Sequence, residues 1–150
     1  MPTNDSVDYY IARHLRVGWR ALLIFAALGL ILESLQGFKV AAYLDVSNET
    51  RRLMWRLAHA HGTLLGAINI LFALTLKSSA SASPATPRIS IALLAATLLL
   101  PAGFFLGGAW FYSGDPGVGI LIVPIGAVLL LVALFWIVRG IGNYELRSKN

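Results

Sequence analysis

Two histidines, two residues apart, carry the most distinctive chemistry in this sequence. His59 and His61 lie in the segment LAHAHGTLLGAINILFALTL, residues 57–76. A neutral imidazole at a membrane boundary binds haem iron or a metal, relays a proton, or forms a hydrogen bond. A spacing of two corresponds to about 200° around an α-helix, so one regular helix cannot direct both rings at one ion. We therefore expect no metal centre from this motif.

Haem is a different case, because a single histidine suffices for one axial position. The third histidine, His14, precedes the first apolar segment and is expected on the opposite side of the membrane. Met1 and Met54 are the only methionines. Haem would therefore bind through one ligand of this chain, or with a second ligand from a partner chain. His59 and His61 are the candidate haem-binding residues.

A carboxylate is expected near these histidines. Glu33 lies at the outer end of the first apolar segment, and Tyr112 and Asp115 lie at the same end of the third. Glu33 and His59 are thus candidate catalytic residues that would form a proton-handling pair. The alternative is structural: His59 hydrogen-bonds Glu33 or a backbone carbonyl, while His61 lies at the level of the lipid headgroups.

Four apolar segments must position these residues. The chain is 57% hydrophobic and 13% charged, about half the charge of a soluble domain. Segments of about 20 apolar residues cross a bilayer as helices. We predict an all-α, four-transmembrane-helix bundle forming a single domain over residues 1–150. Its helices are expected at 17–35, 57–76, 89–111 and 118–138, with a flexible loop at 77–88.

Small and polar residues recur at helical spacing within these segments and indicate the faces that pack in the interior. On the fourth helix they recur every seven residues. The predicted interior positions are Gly62, Gly66, Asn69, Gly103, Gly107, Gly119 and Gly126.

Basic residues predict the orientation. With both termini in the cytoplasm, eight of the twelve Lys and Arg residues lie inside and four lie outside. The pair Arg51–Arg52, in the first outer loop, argues the other way. The net charge is +5, and the Lys and Arg residues that give it flank the apolar segments. We therefore expect anionic lipid headgroups rather than nucleic acid as partners. The absence of cysteine excludes disulfides and thiolate metal sites.

The run His59-Ala60-His61-x-x-Leu64-Leu65-Gly66 resembles the H-A-H-x-x-L-L-G opening of a helix in small bacterial membrane proteins. Those proteins are related to subunit I of the haem–copper oxidases and nitric oxide reductases. The resemblance implies that His59 or His61 is an axial haem ligand. The later histidines that complete the catalytic centre of the full-size enzymes are absent from this chain. A weaker likeness is to four-span proteins of the hydroxylaminobenzene mutase type, whose second helix also opens with Ala-His.

These observations give three expectations for function. The first is an accessory or haem-associated subunit in the bacterial inner membrane, rather than a stand-alone enzyme. The second is a membrane enzyme that uses Glu33 and His59 for a proton-assisted rearrangement. The third is a non-catalytic scaffold or homo-oligomer built on the glycine faces.

Overall fold

The computed structural model describes residues 4–79, 84–112 and 114–148. Within these residues the chain is helical and has no β-strand. The helices are α1 (Asn4–Gly37), α2 (Ala41–Leu44), α3 (Glu49–Ser79), α4 (Thr86–Ala109) and α5 (Val123–Ser148), with short 3-10 turns at Val46–Asn48 and Val118–Ile122. Four of them, α1, α3, α4 and α5, are long and apolar enough to cross a membrane. The predicted all-α fold with four membrane-spanning helices is confirmed.

Helices α1 and α3 begin well before their predicted segments. Helix α4 ends at Ala109 rather than at residue 111, and α5 begins at Val123 rather than at residue 118, because residues 118–122 form a 3-10 turn. Helix α1 begins at Asn4 rather than at residue 17, and α3 begins at Glu49 rather than at residue 57. Its 34 residues make α1 about 51 Å long, whereas the hydrocarbon core is about 30 Å thick. The apolar segments mark only the part of a helix that lies in hydrocarbon. Polar residues without a helix breaker continue the same helix into the interface.

The predicted loop at 77–88 is shorter for the same reason. Helix α3 continues to Ser79 and α4 begins at Thr86, with Pro87 in its first turn, where the missing N–H is not needed. Residues 80–83 lie outside the described residues.

Consecutive long helices pack against one another: α1 on α3, α3 on α4, and α4 on α5. The two central helices therefore contribute most of the core, which includes Leu65, Leu93 and Leu100 together with Ala133 of α5. We call the end that carries the C terminus of α1 and the N terminus of α3 the outer end. The opposite end, with the N terminus of α1, is the inner end.

Glycines allow α1 and α3 to approach closely. Gly62 lies against the ring of Phe25, and Gly66 lies against the backbone of Gly18. A Cβ at Gly66 would stand 3.0 Å from the Gly18 carbonyl oxygen, which cannot move aside because it belongs to a helix backbone. The small-residue face of α3 is therefore the surface that receives α1.

Glycines perform the same role between α4 and α5. Gly103 lies against Val123, and Gly126 lies against Leu100. Near the outer end, Gly107 and Gly119 meet backbone to backbone. These four glycines lie where α4 packs on α5 and on the 3-10 turn that precedes it, and small residues allow this close approach.

Candidate functional site

The His59 side chain is fixed at the interface between α3 and α1. Its Nδ1 donates a hydrogen bond to the carbonyl oxygen of Phe25, at 2.6 Å. A carbonyl only accepts, so the proton of the neutral ring is on Nδ1 and the lone pair is on Nε2. The ring lies directly on Gly29, where any Cβ would overlap it. Close helix approach and one main-chain acceptor thus fix both the position and the tautomer of His59.

A cavity of about 390 Å³ opens beside His59 at the outer end. Its walls come from the C-terminal half of α1 and the first turns of α3, and the lining residues are Gly29, Leu32, Glu33, Gln36, Gly37, Arg56 and His59. Arg56 Nη2 donates to Gln36 Oε1 at 3.1 Å and so joins the two helices across the cavity. The cavity therefore combines an imidazole, a cation and a carboxylate on one small surface.

Glu33 lines the same cavity as His59, but the two side chains are not bonded. Glu33 is exposed and has no hydrogen bond or ion pair with any residue in the described part of the chain. The His59 Nδ1 proton goes to the Phe25 carbonyl instead. The sequence left two partners open for His59, Glu33 or a backbone carbonyl. In the structure His59 donates its hydrogen bond to the Phe25 carbonyl, and Glu33 and His59 line the same cavity without a bond between them.

His61 faces a different helix from His59. Its Nδ1 donates to the carbonyl oxygen of Leu57, one turn earlier in α3, at 2.8 Å. Its ring packs against Phe104 of α4, with 4.7 Å between the ring centroids. The two histidines therefore lie on opposite sides of α3, as their spacing requires, and His61 is not among the residues that line the cavity.

Tyr112 and Asp115 do not join this site. They pair with each other through backbone hydrogen bonds in the turn between α4 and α5, and Tyr112 is 73% exposed. The sequence predicted one cluster at the outer end, formed by Glu33, His59, His61, Tyr112 and Asp115. In the structure Glu33 and His59 line the cavity between α1 and α3, and the other three residues do not line it.

The segment between α1 and α3 is held by backbone-directed hydrogen bonds. Arg52 Nη1 donates to the carbonyl oxygens of Tyr43, at 2.9 Å, and Asp45, at 2.7 Å. The Asp45 carboxylate accepts hydrogen bonds from the Ser47 hydroxyl and backbone amide, and these bonds hold the pKa of Asp45 below its ordinary value. Arg52 is therefore part of the structure of this loop.

A second polar group lies at the inner end and was missed by the sequence interpretation. His14 is within α1, not before the first helix, and is fully buried. Its Nδ1 lies 2.6 Å from Asn69 Oδ1 of α3, and its Nε2 lies 2.8 Å from Ser90 Oγ of α4. The Asn69 amide nitrogen donates to Thr97 Oγ1 at 2.8 Å. This group of four residues, His14, Asn69, Ser90 and Thr97, is named the inner polar network.

Every donor in the inner polar network has an acceptor. Asn69 also donates to the Leu65 carbonyl, so its oxygen faces His14; His14 then donates from Nδ1 and accepts the Ser90 hydroxyl proton at Nε2. The order Ser–His–Asn is that of a nucleophilic triad. All three side chains are completely buried, however, so a substrate carbonyl has no access to Ser90. We assign the network a structural role that ties α1 to α3 and α4.

The sequence does contain a signal for His14. Val7, His14, Gly18 and Ala21 follow one another at steps of seven, four and three, and all four are buried. A helical face that includes His14 was hidden because the first helix was predicted to begin only at residue 17.

Comparison with known protein families, with curated proteins and with solved structures gives no match to this chain.

Proposed function

We propose that this multi-pass membrane protein is an accessory, haem-associated subunit of the bacterial inner membrane, with both termini in the cytoplasm and His59 as an axial haem ligand. The observation that carries the proposal is that Nε2 of His59 has no hydrogen-bond partner among the described residues, in a ring that lines a cavity at the outer end.

The surroundings of His59 match those of a histidine that binds a metal ion. Such a histidine donates its other ring N–H to a carbonyl or carboxylate, which fixes the tautomer and makes the coordinating nitrogen more basic. The Phe25 carbonyl takes this part here, at 2.6 Å from Nδ1. Bound haem would supply one-electron redox chemistry. Arg56, on the same cavity, provides a cation for a haem carboxylate.

His59 is favoured over His61 as the ligand. Both rings donate from Nδ1 to a carbonyl, but the His61 ring packs on Phe104, whereas the His59 ring borders open space. The motif from which the haem resemblance comes contains both residues, so the preference for His59 depends on these contacts alone.

The accessory role follows from the count of ligands. Both ring nitrogens of His14 are engaged in the inner polar network, at the other end of the molecule. Among the described residues, His59 is therefore the histidine at the cavity that would hold haem, and a second ligand would come from a partner membrane subunit or from a second copy. A subunit that offers half of a haem site suits an accessory role better than independent catalysis.

The test is the visible absorption spectrum of protein purified in mild detergent from haem-supplied cells. We expect a Soret band in the wild type and in His61→Ala, and its loss in His59→Ala. Size-exclusion profiles and circular dichroism serve as controls for folding. A colourless wild-type protein that is folded would contradict the haem proposal.

A second candidate function is a proton-assisted rearrangement, and the shared cavity of Glu33 and His59 is the observation that favours it. Isomerisation of a hydroxylaminobenzene to an aminophenol needs no external oxidant or reductant. Glu33 would deliver a proton to the hydroxyl oxygen as the N–O bond breaks, and that oxygen would leave as water. A water oxygen would then form a bond to a ring carbon, Nε2 of His59 would accept the proton that this water releases, and the ring hydrogen would move to the nitrogen, so that atoms and charge balance.

Chromatographic assay of hydroxylaminobenzene conversion tests this candidate. Under this candidate the wild-type protein is colourless and converts hydroxylaminobenzene. Glu33→Gln and His59→Ala should each abolish this conversion, while Ser34→Ala, at a neighbouring exposed position, should leave it unchanged. Equal conversion by all four proteins would reject the assignment.

The scaffold alternative has less support, because the glycine-rich faces of α3, α4 and α5 are occupied inside the chain. Gly62 and Gly66 of α3 contact α1, Gly103 of α4 contacts α5, and Gly126 of α5 contacts α4. An oligomer would have to use other surfaces.

A further inference from the structure

Arg51, at the outer end of α3, is held in place by neutral groups. Its Nε donates to the carbonyl oxygen of Gly108 at 3.2 Å. Its guanidinium carbon lies 4.9 Å from the centroid of the Phe111 ring and 5.7 Å from that of Trp55. Contacts with aromatic rings orient a guanidinium without neutralising its charge. The position of the cation is thus fixed by the fold.

The remaining donors of Arg51 are unengaged. Among the described residues, neither Nη atom has a hydrogen-bond partner, and no carboxylate forms an ion pair with the guanidinium. Glu49 is two positions away on α3, about 200° around the helix, and so points away from Arg51. Asp45 is engaged by Ser47. A preoriented guanidinium with two free nitrogens is a fork for an oxyanion.

The position of Arg51 relative to the membrane–water interface indicates that a phospholipid supplies this oxyanion. Arg51 lies in the first turn of α3 and contacts residues at the C-terminal end of α4. Trp110, 64% exposed, and Tyr112, 73% exposed, are at the same end. Exposed Trp and Tyr mark the membrane–water interface, where phospholipid phosphates lie. The positive end of the α3 macrodipole adds to the attraction for an anion.

We propose that Arg51 binds the phosphate of one anionic phospholipid at the outer end, with the Trp55 and Phe111 rings holding the guanidinium towards the headgroup. This site is separate from the cavity beside His59 and does not depend on the haem proposal. In this proposal the two neighbouring arginines differ in function. Arg52 hydrogen-bonds two carbonyl oxygens of the loop, whereas the Nη atoms of Arg51 bind the lipid phosphate.

Native mass spectrometry of protein released from nanodiscs of phosphatidylcholine with a minor share of phosphatidylglycerol tests the site. Wild-type protein should retain one phosphatidylglycerol, and Arg51→Gln should retain it about tenfold less, as expected for the loss of a charge-assisted hydrogen bond. Lys39→Asn is the matched control, because it removes one exposed outer charge at a left-handed backbone position that Asn tolerates. It should bind like wild type.

Arg51→Lys keeps the charge without the planar fork and should bind with intermediate strength, which separates lipid binding from any folding defect of Arg51→Gln. Equal retention by wild type and Arg51→Gln would overturn the proposal. So would an equal loss in Lys39→Asn, which would indicate general surface charge. Displacement of the lipid by inorganic phosphate would assign the site to free phosphate and overturn the lipid assignment.

Discussion

The three histidines differ in which ring nitrogens are engaged. His14 uses both nitrogens in the inner polar network, whereas His59 and His61 each donate from Nδ1 to a carbonyl. His59 lines the cavity at the outer end, and its Nε2 has no hydrogen-bond partner in the part of the chain that the structure describes. Chemical reactivity is therefore expected from His59, and structural stabilisation from His14.

Replacing His14 should destabilise the fold more than replacing His61. His14→Ala leaves the buried Asn69 oxygen without its donor and the Ser90 hydroxyl without its acceptor. We expect a loss of about 1–3 kcal/mol, the usual cost of unsatisfied buried polar groups. His61→Ala removes a bond within one helix and should cost less. Unfolding in mixed micelles with increasing SDS, followed by circular dichroism, measures both; equal midpoints would contradict the structural role of His14.

The separation of His59 from His61 was predictable from the sequence, because a spacing of two fixes the angle between side chains on any regular helix. The hydrogen bond from His59 to Phe25 was not predictable in detail, since it depends on how Gly29 and Gly62 set the register of two helices. His14 was misplaced because apolar length alone does not locate the end of a helix in the interface.

At the scale of elements, glycines determine how closely neighbouring helices approach. The recurrence of small residues predicted which positions of α3, α4 and α5 face the interior. It did not predict which helix each face meets, because periodicity describes one helix at a time. Gly66 meets Gly18 of α1, and Gly126 meets Leu100 of α4.

Gly66→Ala should therefore loosen the contact between α1 and α3. The added methyl group would lie 3.0 Å from backbone atoms of Gly18 and Leu22, which are too rigid to relax. Overpacking of this kind costs about 1–3 kcal/mol. Gly140→Ala is the matched control, because among the described residues no atom lies within 4 Å of the corresponding Cβ position and Ala favours helix. The same unfolding assay should give a lower midpoint for Gly66→Ala only; a midpoint unchanged in both variants would contradict the close approach.

At the scale of the whole molecule, an even number of membrane crossings, four in the described residues, predicts that the start of α1 and the end of α5 lie on the same side of the membrane. The count of basic residues favours the cytoplasm for that side, although Arg51 and Arg52 lie at the other end. The structure accommodates this pair by binding Arg52 to loop carbonyls and placing Arg51 between aromatic rings.

Single cysteines test the orientation cleanly, because the chain has none of its own. Ala42→Cys lies at an exposed position of the outer end, and Ser78→Cys lies at an exposed position of the inner end. In intact cells, a membrane-impermeant thiol reagent should label Ala42→Cys and leave Ser78→Cys unlabelled until the membrane is opened. The reverse pattern would place the termini outside.

The central claim is that His59 is the histidine that binds haem, at the cavity at the outer end. Haem titration of purified protein in nanodiscs tests this claim most directly. Wild type, His61→Ala and His14→Ala, provided that each remains folded, should show saturable haem binding with a sharp Soret band. His59→Ala should give only weak, unsaturable binding. Loss of the band in His61→Ala with retention in His59→Ala, or the absence of saturable binding to wild type, would contradict the account.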